Sequence, residues 1–204
     1  VRSTLNTAIE AARTALDVAG DTKENYTKAK NTLATAVADA QKGFYAQFGD
    51  TKFRLKLKDT ELYMQVNCPM SNNEGNARLA TSAGNPDQCF SLIAGADANE
   101  GKYFIQAQGK MLQDLGGWNS QMSSTGTAFT FEPVDLAAGE VKSKGSLGYY
   151  GTSASPEAGT IIYTNVGAGA KVTWMLEPIA KNDYRKLLEA DFTPIQKWHN
   201  AYYG

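Results

Sequence analysis

The chain has 204 residues, a formal net charge of −1, 42% hydrophobic residues and 20% charged residues. This length suits one domain with appendages, and the composition is that of a soluble globular protein. Acidic and basic residues are interspersed and no apolar run approaches the roughly 20 residues of a membrane helix, so neither nucleic-acid binding nor membrane insertion is expected.

The first 48 residues carry two apolar stripes at helical spacing. The first stripe has steps of three and four residues and consists of Leu5, Ala8, Ile9, Ala12 and Leu16. A break follows at residues 17–21, and the segment 20–24 supplies a glycine stop and a capping residue before a second helix. The second stripe consists of Tyr26, Ala29, Leu33, Ala36, Val37 and Ala40. These features predict a hairpin of two antiparallel helices over residues 1–48.

The spacing of these apolar residues resembles the FIVAR motif, a small helical module of bacterial surface proteins. The resemblance covers residues 3–45 and implies a bacterial surface or secreted protein. A packing hairpin with no partner of its own is the alternative interpretation.

Beyond Phe44 the apolar period changes from the helical value to two. Residues 53–58 alternate apolar and basic side chains, as a half-buried strand does. Up to Ile179, short β-rich runs are separated by Gly, Ser, Thr and Asn, which is typical of a sandwich or a closed barrel.

Three segments with the pattern aromatic-x-apolar recur at intervals of roughly forty residues and begin at Phe90, Phe129 and Trp174. Three further strand candidates precede each segment. In the first unit they are residues 53–58, 61–66 and 77–83, in the second 102–108, 110–115 and 120–124, and in the third 140–144, 147–151 and 160–166. Four strands in three copies predict a pseudo-three-fold barrel, because no single unit can bury its own apolar face.

The same segments resemble the Gln-x-Trp signature of the ricin B-type β-trefoil family. Asp87-Gln88-Cys89-Phe90 keeps the Gln and replaces Trp by Phe, Val172-Thr173-Trp174 keeps the Trp, and Thr127-Ala128-Phe129 keeps an aromatic residue. The resemblance covers residues 51–180 and implies a lectin-like β-trefoil. Phe90, Phe129 and Trp174 are accordingly expected to fill the core at the three-fold axis.

Helical pattern returns after Ile179. Asn182 can cap a helix over residues 183–190, and Thr193-Pro194 opens a second helical segment. The predicted fold is therefore α+β and mainly β, with a helical hairpin at 1–48, a β-trefoil at 49–180 and a C-terminal helical segment at 181–204. That last segment either packs with the hairpin or leads into a further domain.

Catalytic and metal-binding sites are not expected. His199 is the only histidine, and we expect it to pack or face solvent rather than act as a base. Two cysteines are too few for a Cys-rich zinc site. Cys68 and Cys89 either form one disulfide or remain two buried free thiols. The sequence predicts no enzyme activity, no cofactor and no metal.

Sugar recognition needs an aromatic face and a few fixed polar groups. The second repeat gathers both between residues 113 and 121. We expect Trp118 to be the stacking platform, Asp114 to accept from sugar hydroxyls, and Asn119 and Gln121 to supply amides. A Trp118 side chain tucked under its loop is the alternative.

The third repeat offers a secondary candidate surface formed by Tyr149, Tyr150, Tyr163 and Asn165. A flat, exposed tyrosine surface would favour a protein partner, and a concave one would favour sugar. The first repeat has Asp87 and Gln88 but carries Leu79 where the ring would stand, so no site is predicted there.

The sequence thus predicts a non-catalytic carbohydrate-binding accessory module of a secreted or cell-surface bacterial protein. The expected partner is a glycan or polysaccharide, and the expected location is extracellular, on the cell surface or periplasmic. A protein-interaction or inhibitory trefoil is the first alternative. A structural spacer without ligand is the second.

Overall fold

The computed structural model describes residues 2–19, 22–68, 77–82, 84–116, 119–145, 147–164, 166–181 and 183. The chain divides into two units, Val1–Gln47 and Phe48–Gly204. No helix within the described ranges is both long and apolar enough to cross a membrane. The predicted C-terminal helices, with Asn182 and His199, lie outside the described residues.

Two helices begin the chain, α1 at Arg2–Ala19 and α2 at Lys23–Asp50. Thr22 caps α2, because the backbone N–H of Asn25 donates to Thr22 Oγ1 at 3.3 Å. The cap predicted from an acid three residues later is Asp21, which lies outside the described residues. The buried side of α2 is narrower than its apolar stripe. Ala29 and Ala40 are buried, whereas three larger members of the stripe are exposed, namely Tyr26, Leu33 and Val37. The FIVAR resemblance stays a prediction.

Ten strands follow within the described residues, four in each of the first two repeats and two in the third. They are β1 Phe53–Leu57, β2 Leu62–Gln65, β3 Arg78–Thr81, β4 Ser91–Ala94, β5 Tyr103–Ala107, β6 Lys110–Gly116, β7 Asn119–Ser123, β8 Thr130–Asp135, β9 Glu140–Lys144 and β10 Thr173–Pro178. In place of the predicted strands at 147–151 and 160–166, the described residues form isolated bridges, Lys144 with Tyr149, Gly151 with Tyr163 and Arg78 with Ile161. Gly148, Gly151 and Gly159 weaken continuous strand pairing there.

Six strands close into a barrel. Ladders join β4 to β5, β8 to β9, β9 to β10 and β10 to β1. Two bridges complete the ring, Phe53 with Phe90 between β1 and β4, and Tyr103 with Phe129 between β5 and β8. Each repeat therefore contributes its first and fourth strands to the barrel.

The remaining segments form three hairpins: β2–β3, β6–β7 and residues 149–163. The first and third hairpins are joined by backbone bonds from Leu79 N to Thr160 O at 2.8 Å and from Ile162 N to Ala77 O at 3.0 Å. A six-stranded barrel with three hairpins in pseudo-three-fold arrangement is a β-trefoil. The predicted fold class is confirmed.

The three repeated aromatic residues occupy equivalent barrel positions. Phe90 pairs with Phe53, Phe129 with Tyr103, and Trp174 with Val141. Phe90 and Phe129 are 0% exposed and Trp174 is 1% exposed. Their predicted role as core residues is confirmed. Trp174 also donates from Nε1 to the Tyr150 carbonyl at 2.8 Å, which links the barrel wall to the third hairpin.

Cys68 and Cys89 are free thiols, half-buried and buried respectively. Burial raises the pKa of both thiols. A buried thiol of raised pKa is a weak nucleophile at neutral pH.

Candidate functional site

The sequence-predicted sugar site in the β6–β7 hairpin is not assembled as expected. Asp114 pairs with Ser120, and Gln113 pairs with Gln121. Successive strand residues point to opposite faces, so the side chains of Asp114 and Gln121 lie on opposite faces of the hairpin. Gln121 instead donates from Nε2 to Gln113 Oε1 at 2.8 Å. Asn119 begins β7. Trp118 lies outside the described residues, and its role stays a prediction.

The Asp114 carboxylate is engaged within the fold. Its Oδ1 accepts from the backbone N–H of Gly116 and from the buried hydroxyl of Thr164, both at 2.9 Å. The backbone N–H of Asp114 donates to Thr127 Oγ1 at 2.9 Å. These bonds tie the second hairpin to the third repeat. Asp114 is therefore a structural acceptor through Oδ1, and its role as a receiver of sugar hydroxyls stays a prediction.

The secondary tyrosine surface also does not form as predicted. Tyr150 is 0% exposed and packs against Phe129, with ring centroids 5.6 Å apart. Neighbouring Tyr149 points outward, because adjacent residues of an extended segment alternate between faces. It is half-buried and its hydroxyl donates to Glu132. Tyr163 is half-buried, and Asn165 lies outside the described residues.

Burial of Tyr150 predicts a loss of stability in alkali. Its hydroxyl donates to Ser120 Oγ at 3.1 Å, and burial raises the pKa of this phenol well above its ordinary value near 10. Because the pKa is raised in the folded protein, the protonated phenol stabilises the fold. This contribution to the free energy of unfolding is complete below about pH 10, and above that it falls by up to about 1.4 kcal/mol per pH unit.

The matched variant is Tyr150→Phe, which cannot ionise and loses only the bond to Ser120, about 1 kcal/mol. Urea unfolding from pH 8 to 11 should show wild type more stable at pH 8, with the two curves converging as the pH rises. A stability difference that stays constant over this range would contradict the assignment.

A second polar cluster, hereafter the Asp87 site, is formed by Asn67, Asp87 and Gln108. Asn67 Nδ2 and Gln108 Nε2 both donate to Asp87 Oδ1, at 2.6 and 2.5 Å. Asn67 and Gln108 are exposed and Asp87 is half-exposed. The three residues come from separate segments: the end of β2, the 3-10 turn Pro86–Gln88 and the turn between β5 and β6. Two repeats therefore meet at this site.

The backbone holds both amide donors in an uncommon conformation. Asn67 has φ 56° and Gln108 has φ 48°, in the left-handed region. Gln108 and Gly109 are the two residues between the paired Ala107 and Lys110, a turn position where Asn, Asp or Gly is usual. A left-handed glutamine costs about 1–2 kcal/mol, and such conformations concentrate at ligand sites.

Hydrogen bonds behind the surface fix the Asp87 backbone. Gln88 is 0% exposed and donates from Nε2 to Gln65 Oε1 at 3.2 Å and to Thr81 O at 2.9 Å. The backbone N–H of Val66 donates to Asp87 O at 3.1 Å. The Asp87 carboxylate therefore lies on a turn that is fixed both by the Gln88 side chain and by the Asp87 carbonyl.

The Asp87 site presents hydrogen-bond acceptors to solvent. No donor among the described residues reaches Asp87 Oδ2 or the amide oxygens of Asn67 and Gln108. Such an acceptor array suits ligands that donate, as sugar hydroxyls do. The carboxylate disfavours anionic ligands.

The repeat signature predicts no site in the first repeat, because Leu79 stands at the position of the expected ring. Leu79 is 1% exposed and belongs to the core. The available signal was Asp87 next to Gln88 in the repeat signature. The contact with Gln108 joins residues 21 positions apart in different repeats, which spacing did not reveal.

Metal binding has no support in the described part of the chain. Within it, no three or more His, Cys, Asp or Glu side chains are grouped so that they could hold an ion.

Comparison with known proteins found structural matches without sequence matches. No protein-family profile matches the chain, and no curated protein sequence shows significant similarity to it. Several solved structures are similar over about two thirds of the chain, among them the following three. The BEL β-trefoil, in an apo crystal form, is 16% identical and has a TM-score of 0.49, covering 64% of this chain and 94% of that one.

The second is ThreeFoil, a designed three-fold symmetric protein, 22% identical with a TM-score of 0.47, covering 64% of this chain and 100% of that one. The third is SeviL bound to the asialo-GM1 saccharide, 16% identical with a TM-score of 0.46, covering 62% of this chain and 95% of that one. The assignment of the β-trefoil fold to this chain rests on its own strand pairing.

Proposed function

We propose that the chain is a non-catalytic carbohydrate-binding module whose Asp87 site receives the hydroxyls of a sugar. The observation that supports this function is the convergence of two left-handed amide residues on one carboxylate oxygen, at a surface where two repeats meet. No described residue donates to the second carboxylate oxygen or to the two amide oxygens, which can accept from a ligand.

The chemistry of the site favours neutral, hydroxyl-rich glycans. Vicinal hydroxyls can donate to Asp87 Oδ2 and to the amide oxygens of Asn67 and Gln108. Sialylated, sulfated or uronic-acid glycans would bring a negative charge beside the carboxylate, which opposes binding. We also propose the extracellular, cell-surface or periplasmic location in which such a module would meet glycans.

The protein-interaction alternative depended on a flat surface of Tyr149, Tyr150 and Tyr163. Tyr150 is buried in the core, so these three rings do not share a surface. That alternative therefore loses the tyrosine surface on which it depended.

Asp87→Asn tests the proposal by changing one hydrogen-bonding group. An Asn at this position can keep an oxygen for Asn67 and Gln108 while replacing the outward oxygen by an NH2 donor. Hydrogen bonds to charged groups contribute about 1.5–3 kcal/mol, so we expect at least a ten-fold loss of affinity. The measurement is a titration with a neutral glycan that a glycan array selects for the wild-type chain.

Asp97→Asn is the matched control. Asp97 is an exposed aspartate that also lies in a 3-10 turn, Asp97–Asn99, with φ 52°, and Asn tolerates this backbone conformation. This variant should bind like wild type. Unchanged affinity in Asp87→Asn would refute the site, and an array on which the wild-type chain binds no neutral glycan would refute the function.

A further inference from the structure

Among the residues that the structure describes, the first repeat alone combines a carboxylate with amides at the position of the Asp87 site. From this we infer that the module is monovalent, with one glycan site per chain rather than the three that a three-fold fold could carry. The inference rests on the proposed function and adds its valency.

Backbone pairing identifies the equivalent positions in the other repeats. Asp87, Gly126 and Lys171 each lie three residues before the barrel aromatic of their repeat. In the first repeat Val66 N donates to Asp87 O at 3.1 Å, and in the third Thr152 N donates to Lys171 O at 3.0 Å. The third repeat therefore places an ammonium group where the first places a carboxylate.

In the third repeat's counterpart of the Asp87 site, the residue equivalent to Gln108 also differs. The register that aligns Phe53 with Tyr103 places Lys58, after β1, where Gln108 stands after β5. Lys58 Nζ donates to Glu140 Oε2 at 2.6 Å, so this side chain is held in an ion pair. Two lysines replace the carboxylate and the amide, and neither ammonium can accept from a sugar hydroxyl.

The second repeat is apolar at its equivalent position. Gly126 has no side chain, and a Cβ added there would lie 2.5 Å from Met111 Cβ and 3.1 Å from Phe104 Cδ1. Leu115, which is 48% exposed, occupies the place of Asn67. The described residues at this position therefore offer apolar groups where the first repeat offers hydrogen-bonding groups.

A single site limits what the module does. It can hold one glycan chain but cannot cross-link two. Tight attachment to a polysaccharide would then need several copies, since avidity requires at least two sites engaged together.

Isothermal titration of the full chain with a soluble neutral oligosaccharide tests the valency. We expect one ligand per chain, binding to that single site weakened at least ten-fold in Asp87→Asn with no second site revealed, and unchanged affinity and stoichiometry in the control Lys171→Ala. Light scattering gives the number of chains per particle, and a monomeric chain should not agglutinate beads coated with the same glycan.

Two or three ligands per chain, binding that persists at reduced stoichiometry in Asp87→Asn, or a site lost in Lys171→Ala would each overturn monovalency while leaving glycan binding intact. A wild-type chain that binds no oligosaccharide would overturn the proposed function, and the valency with it.

Discussion

Replacing Trp174 by alanine should lower the free energy of unfolding by about 3–5 kcal/mol. The side chain is 1% exposed and stands at one of three equivalent barrel positions. Its removal leaves a cavity where the third repeat meets the first. It also leaves the buried Tyr150 carbonyl without the indole donor that now lies 2.8 Å away.

Trp174→Phe is the graded control, because phenylalanine occupies the two equivalent positions, 90 and 129. Losing the hydrogen bond and part of the ring should cost about 1–2 kcal/mol, less than the alanine change. Urea unfolding followed by circular dichroism measures both variants. A cost below about 1 kcal/mol for Trp174→Ala would contradict the closed barrel.

Asp114→Ala should lower the free energy of unfolding by about 1.5–3 kcal/mol while leaving glycan binding by the folded protein unchanged. The variant removes the acceptor of both Gly116 N–H and the buried Thr164 hydroxyl. Asp114→Asn keeps an oxygen at this position and should cost less. Chemical unfolding and glycan titration on the same preparations separate stability from binding.

Gln121→Ala is the control from the opposite face of the same hairpin. Gln121 is half-buried, and within the described residues its side chain bonds only to Gln113, so its removal should change stability by no more than about 0.5 kcal/mol. If Asp114→Ala kept wild-type stability and lost glycan binding, the hairpin site expected from the sequence would be correct and our reassignment wrong.

The barrel could be predicted because its signal is repeated. Burial in the barrel selects apolar residues at equivalent positions of every repeat. It accounts for the alternation at residues 53–58 and for the aromatic residues at 90, 129 and 174. The hairpin at residues 149–163 forms only isolated bridges, because its glycines carry no side chain that favours an extended strand. The exposure of Tyr26 and Leu33 depends on how wide the buried side of α2 is, which periodicity does not give.

The candidate site could not be predicted because its contacts join distant segments. The position of Asp114 in a polar hairpin predicts a solvent-facing acid. Its hydrogen-bond partner Thr164, however, lies fifty residues later in the chain. Asp87 was passed over for lack of a ring, and its partner Gln108 belongs to the next repeat. The spacing of residues within one repeat therefore predicts neither of these two contacts.

The most direct test of the account is a nuclear magnetic resonance titration of the isotope-labelled chain with a neutral oligosaccharide. The side-chain amide resonances of Asn67 and Gln108 should shift as the sugar binds, together with the backbone resonances of residues 86–88. Shifts confined to residues 117–121 of the β6–β7 hairpin, with the amides of Asn67 and Gln108 unmoved, would contradict the assignment of glycan binding to the Asp87 site.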